Sequence, residues 1–300
     1  MAEPFELDKR EVRRSFERAA STYDDAAVLQ REVEKRMFER LDYVKLAPAT
    51  ILDAGSGTGG GSRELARRYP EAQVIALDLA LAMLQAAREP RSWLQRLGVG
   101  RTRVVSICAD VEQLPLKVAS VDLIWSNVTL QWAADLPRAF VELRRVLRPG
   151  GLLMFSTFGP DTLKELRAAY ATVDGYSHVN RFADMHDVGD MLVHARLSDP
   201  VIDMEHITLT FETVRELMRD LKAIGAHNVT AGRSRGLRGK AMLAAVERNY
   251  EALRRDGRLP ATFEVVYGHA WAPVGGPDRA ADGRAIIQVR RRQPEQDGPR

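Results

Sequence analysis

Between residues 50 and 158, short continuous apolar runs alternate with stretches whose apolar residues recur at helical spacing. The runs read as strands at 50–54, 73–78, 103–108, 121–126 and 151–157, and the intervening stretches as helices at 60–69, 80–88 and 135–147. Strands alternating with helices build a parallel sheet covered on both faces, an α/β architecture. Ahead of it, Val12, Phe16, Ala19, Leu29, Val33, Met37 and Leu41 predict a pair of amphipathic helices over 8–46, broken at Ser21-Thr22-Tyr23. Such a segment could lie across a pocket as a lid. Beyond the sheet, helical patterns at 161–173, 184–195 and 213–224 surround an alternating strand at 206–211, and 262–269 reads as a closing strand. The Gly-, Pro-, Asp- and Arg-rich tail after Pro273 is expected to be disordered apart from a short strand at 286–289. The expected division is a lid at 1–46, a core at 47–158, a helical substrate-binding insertion with closing strands at 159–272, and a tail at 273–300.

The first strand runs through Asp53 into Gly55, Gly57, Gly59, Gly60 and Gly61, and a helix follows. Glycines serve where the backbone takes positive φ or touches a ligand, and the helix start behind them offers free N–H groups. Gly55, Gly57 and Gly60 also satisfy the dinucleotide pattern G-x-G-x-x-G, so the loop alone leaves the ligand open. Asp78 ends the second strand about 20 residues later, where an acid accepts both hydroxyls of a ribose. Asp110 follows the third strand, and Asn127, Gln131 and Trp132 follow the fourth. Ligands of open α/β sheets gather at such strand ends, so a nucleoside ligand is expected.

Composition narrows the classes. The 300 residues are 45% hydrophobic and carry a net charge of +3, enough for one large domain with an appendage. A pI near 9.1 indicates local basic patches, notably the run from Arg233 to Arg258, without demanding a nucleic acid. Cys108 is the single cysteine, which excludes a disulfide framework and points to the cytoplasm. No run reaches the ~20 apolar residues of a membrane helix. The N-terminus lacks an apolar signal core and reads as mature protein. No spacing argues for a metal.

Asp53-Ala-Gly-Ser-Gly-Thr-Gly59, Asp78, Asp110 and Leu147-Arg-Pro-Gly-Gly151 together resemble the class I S-adenosylmethionine-dependent methyltransferases. A narrower resemblance, to about Trp271, is to the BioC malonyl-[acyl-carrier protein] O-methyltransferases of biotin synthesis. It is carried by Ser15-Phe-Glu-Arg-Ala-Ala20 with Tyr23, Ser126-Asn127 with Gln131-Trp132, His178-Val-Asn-Arg-Phe182, and Leu221-Lys-Ala-Ile-Gly225. Ser56 stands where that family often has cysteine. The resemblance implies a Rossmann-like, seven-stranded, mostly parallel sheet with an N-terminal helical lid and a C-terminal helical insertion.

It also implies a reaction: methylation of the free carboxylate of malonyl-acyl carrier protein with S-adenosyl-L-methionine as cofactor. Asp53, Gly55, Gly57, Gly59, Asp78, Leu79, Asp110, Val111 and Asn127 would hold the cofactor, with Asp78 on the ribose and Asp110 on the adenine amino group. Tyr23, Gln131, Trp132 and Arg181 would face the substrate, Arg181 gripping its carboxylate. His178 reads as structural or hydrogen-bonding. Arg233, Arg235, Arg238 and Lys240 would dock the acidic carrier; no nucleic acid or membrane is expected. Bland readings stand beside these: Asp110 as a strand-end cap, Trp132 as core packing, Arg181 and the basic run as solvated surface. The alternative is an arginine hydroxylase or non-enzymatic assembly factor like the relative that serves respiratory complex I, which shares Gly159-Pro-Asp161-Thr-Leu-Lys-Glu-Leu-Arg167 and Pro260-Ala-Thr262.

Overall fold

The computed structural model describes residues 7–87, 103–174, 176, 178–226 and 240–275. The expected strand at 286–289 and Arg233, Arg235 and Arg238 lie outside the described residues. Seven strands form one sheet in the order β3-β2-β1-β4-β5-β7-β6. They are β1 (Thr50–Ala54), β2 (Gln73–Asp78), β3 (Val104–Cys108), β4 (Val121–Ser126), β5 (Leu147–Phe158), β6 (Ser198–Phe211) and β7 (Leu259–Trp271). All pairings are parallel except those of β7 with β5 and β6. The chain order reverses direction between β1 and β4, and a crevice opens beyond the carboxyl ends of strands at such a point.

Alternation along the central strands explains why the sheet is covered twice. Ile51, Leu123 and Trp125 face one apolar cluster with Val33, Met37 and Leu41. Leu52 and Ile124 face the other, with Phe140, Leu143 and Val146. Ten helices flank the sheet among the described residues: α1 (Lys9–Ala19), α2 (Tyr23–Ala26), α3 (Val28–Leu41), α4 (Gly60–Arg68), α5 (Leu81–Ala86), α6 (Leu136–Val146), α7 (Lys164–Ala171), α8 (Met185–His194), α9 (Val214–Ala223) and α10 (Lys240–Glu251).

The N-terminal segment departs from its expected pair of helices by forming three. Asp8 caps α1 by accepting from the N–H groups of Arg10 and Glu11, the chain turns at Thr22, and α2 is a single turn before α3. The i, i+4 row Leu29, Val33, Met37, Leu41 is buried on α3, and Phe38 stacks on Trp125 with ring centroids 4.2 Å apart. At the opposite edge, β6 begins eight residues earlier than expected, at Ser198 rather than His206. Its antiparallel ladder with β7 runs from Ser198↔Trp271 to Phe211↔Leu259 and tolerates Pro200 because a register shift falls there, between Ser198 and Val201.

Candidate functional site

The β1–α4 loop is shaped by three left-handed glycines, Gly55 (φ +83°), Gly57 (φ +52°) and Gly59 (φ +82°). The N–H groups of Gly55 and Ser56 both donate to the Leu77 carbonyl, at 2.7 and 2.9 Å, which pins the loop to β2. A Cβ at Gly55 would stand 2.1 Å from Thr129 Oγ1, whereas one at Gly57 would meet nothing closer than Tyr23 Cε1 at 3.8 Å. The first glycine is therefore a packing requirement, whereas the second has room for a methyl group in ordinary contact with Tyr23.

Asp78 ends β2 and accepts from Gly57 N (2.9 Å) and Ala80 N (2.8 Å). Burial raises its carboxyl above the ordinary range, and the surrounding N–H donors pull it back. Asp110 accepts from Glu112 N at 2.9 Å, so it does cap its strand end. Its other oxygen pairs with the ammonium of Lys9 from α1, which also lies 2.6 Å from Glu112.

Gly55, Gly57, Asp78, Leu79, Asp110, Val111 and Asn127 all line one crevice, as the sequence predicts. Lys9, Val12, Phe16 and Tyr23 line it from α1 and α2, the segment expected to lie across a pocket, although of these residues only Tyr23 is named as a site candidate from the sequence. Its volume is about 80 Å³, well below the roughly 300 Å³ at the small end of ligand sites. The donor and acceptor set fits a nucleoside carrying an amino-acid arm.

Asp53 and Gly59 lie beneath the crevice instead of lining it. Asp53 is buried, accepts from Ser62 Oγ at 2.5 Å, and is raised to about 7 mainly by that burial. Glu34, on α3, is raised to about 8 by burial and then by the neighbouring Asp53. Their carboxyls converge on Gly61 at the start of α4, where an added Cβ would stand 2.6 Å from Glu34 Oε1 and 3.4 Å from Asp53 Oδ2. Asn127 spans the gap between layers, donating to Gln30 O (3.0 Å) and accepting from Ser156 Oγ (2.9 Å).

A second cavity, of about 1130 Å³, lies beside the crevice, walled by apolar side chains such as Leu29, Phe158, Leu166, Phe211, Leu217 and Phe263. Trp132 lines both spaces and is the residue they share. Phe16 meets it edge-on at 5.2 Å and 84°. Trp132 is thus a partition, more than core packing.

The other substrate-side candidates fare differently. Tyr23 lines the crevice, not the large cavity, and burial raises its hydroxyl far above the usual phenol range. Gln131 lines neither space: the 3₁₀ turn at Leu130–Trp132 points it inward, where it donates to Val128 O at 2.7 Å and accepts from Thr157 Oγ1 at 3.4 Å. Arg181 is exposed and also lines neither, although its neighbours Asn180 and Phe182 line the large cavity. His178 lines the large cavity, stacked on Tyr170 at 3.7 Å and bonded through Nε2 to Asp174 at 2.7 Å, with its Nδ1 buried and, among the described residues, unpartnered. Lys240 opens α10.

Residues 52–155, which span β1 to the middle of β5, match the family described as "Methyltransferase domain". A malonyl-[acyl-carrier protein] O-methyltransferase of Gallionella capsiferriformans is 61% identical over 285 residues, 95% of this chain and 97% of its own length. The chain belongs to the malonyl-[acyl-carrier protein] O-methyltransferase family. A further O-methyltransferase of that name, from a Methylovorus species, is 56% identical over 97% of this chain and 98% of its own length. The fold is shared more widely. The YcgJ protein of Bacillus subtilis superposes with a TM-score of 0.55 at 14% identity, covering 80% of this chain and 98% of its own. No helix among the described residues is long and apolar enough to cross a membrane.

Proposed function

We propose that the protein transfers a methyl group from S-adenosyl-L-methionine to the free carboxylate of malonyl-acyl carrier protein, giving the methyl ester that primes pimeloyl assembly for biotin. The observation that carries this reading is Trp132, the wall common to a strand-end crevice bearing Asp78 and Asp110 and to an apolar cavity large enough for a thioester arm. Curated O-methyltransferases at 61% and 56% identity support it over the arginine-hydroxylase alternative. The cytoplasm is the proposed compartment.

The bound cofactor supplies an electrophilic methyl on a sulfonium. A malonyl carboxylate is ionised at neutral pH and attacks without a general base. The chain's part is to position and to desolvate. Asp78 would hold the ribose hydroxyls and Asp110 the adenine amino group, Leu79 and Val111 would flank the base, and the Gly55–Gly59 loop would let the amino-acid arm approach the backbone. Trp132 keeps water from the line of transfer. The helices α1 and α2 act as the lid: Lys9 on Asp110 and Asp24 on Thr58 (2.5 Å) fasten it over the crevice, and both contacts must yield for the cofactor to enter. The segment with Arg233, Arg235, Arg238 and Lys240, which follows α9 in the chain, is assigned to the carrier.

The decisive assay uses labelled S-adenosylmethionine with malonyl-acyl carrier protein. A base-labile methyl ester on the acyl group is expected. Absence of label on carrier of verified malonylation would overturn the reading.

A further inference from the structure

The large cavity is bounded on one side by the end of α1 and the second half of α9. These two ends are fastened together: Thr22 Oγ1 donates to Ala223 O at 2.9 Å, and a Cβ at Gly225 would stand 3.3 Å from Ala19 Cβ. Arg18, from the last turn of α1, and Arg219 and Lys222, from α9, therefore sit on one continuous rim around the cavity.

All three are exposed, and among the described residues none makes a hydrogen bond or an ion pair within 4 Å. Neighbouring basic residues differ. Arg215 is paired with Glu247, Arg254 with Glu251 and Arg258 with Glu212. Two acids share the rim with the three cations. Glu216 is engaged in accepting the Glu212 N–H at 2.7 Å, while Asp220 is exposed.

Asp220 feels the charge of Arg219, but three long cationic side chains without a hydrogen bond or close ion pair around an apolar opening still leave a net positive charge available to an incoming anion. We propose that this rim is the docking surface for the acidic carrier protein: Arg18, Arg219 and Lys222 meet its acidic face and the phosphodiester from which the thioester arm hangs, while the arm enters the cavity toward Trp132. Guanidinium groups bind phosphate oxygens bidentately, which suits Arg18 and Arg219 to the phosphodiester. The inference rests on the proposed function for the identity of the carrier. It goes beyond that function in placing the contact at the cavity mouth, on α9 and on the lid helix α1, so docking and closure share one element.

The test combines two readouts on the full chain carrying R18E, R219E and K222E, with R18Q, R219Q and K222Q as a milder second variant. Binding of phosphopantetheinylated carrier protein is titrated directly, without methyl transfer. Methylation is then compared for malonyl-carrier protein and for malonyl N-acetylcysteamine thioester, which has neither carrier nor phosphate. The expected result is at least about tenfold weaker carrier binding and a similar loss of kcat/KM on the carrier at low salt, with the small thioester changed less than about twofold. Rising salt should bring wild type down toward the variant, because exposed charges are screened. Carrier binding unchanged in the charge-reversed variant, or wild type that does not bind carrier, overturns the docking assignment. So does an equal loss on both methyl acceptors. Wild type that binds carrier yet methylates neither acceptor leaves docking standing and overturns the proposed reaction instead.

Discussion

Gly55 and Gly57 share a positive φ for different reasons, and substitution separates them. At Gly55 a methyl group collides with Thr129, so G55A is expected to lose on the order of 1–3 kcal/mol of stability. G57A meets no such obstacle. It should melt closer to wild type and reveal itself in weaker S-adenosylmethionine binding; thermal melts with calorimetric titration distinguish the two. Asp78→Ala should weaken cofactor binding by roughly 1.5–3 kcal/mol, the usual worth of a hydrogen bond to a charged group, and unchanged affinity would remove Asp78 from the site. Glu34 gives a pH prediction. Its folded value near 8 and that of Asp53 near 7 lie above the ~4 of unfolded chains, so the native state holds more protons across that window. Stability should accordingly fall as pH rises from about 5 to about 8. E34Q should flatten that slope and exceed wild type at pH 8.5 in denaturant melts. Asp78 and Asp110 were legible because strand-end carboxylates announce themselves in an α/β pattern. Glu34 was not, since its burial depends on α3 lying over the start of α4. That Gln131 and Arg181 line neither space was not legible, because residue spacing does not say which way a short 3₁₀ turn or an irregular segment points its side chains.

At the scale of elements, the strands β1, β2 and β4 were readable to the residue, being apolar runs buried by two layers. The start of β6 was not. Ser198–Asp203 carries Asp, Pro and exposed Val201, as an edge strand can, and its place follows from the β7 ladder. The single turn of α2 escaped notice because four residues show no periodicity. Yet α1 and α2 carry the contacts of Lys9 with Asp110 and of Asp24 with Thr58 that the proposed lid depends on. Lys9→Met should loosen α1 without touching the sheet, so hydrogen exchange in residues 9–26 should quicken in the free enzyme, and added cofactor should slow it. Identical exchange with and without cofactor would argue against a moving lid.

Over the whole molecule, two spaces communicate through one side chain. Trp132→Ala should open the wall and admit water to the transfer line, lowering kcat by about tenfold or more while leaving the cofactor dissociation constant within a few fold. Trp132→Phe should recover most of that loss. A matching drop in cofactor affinity would instead make Trp132 a cofactor residue. The thiol of Cys108 offers a way to watch these events. It is exposed at the end of β3, lies 3.5 Å from the Leu79 carbonyl at the crevice, and is the chain's single cysteine. The protein therefore carries a built-in attachment point for one fluorophore or spin label, two residues from Asp110, with no competing thiol to remove. Lid opening, cofactor arrival and carrier docking could each be timed from that one position in the unaltered chain.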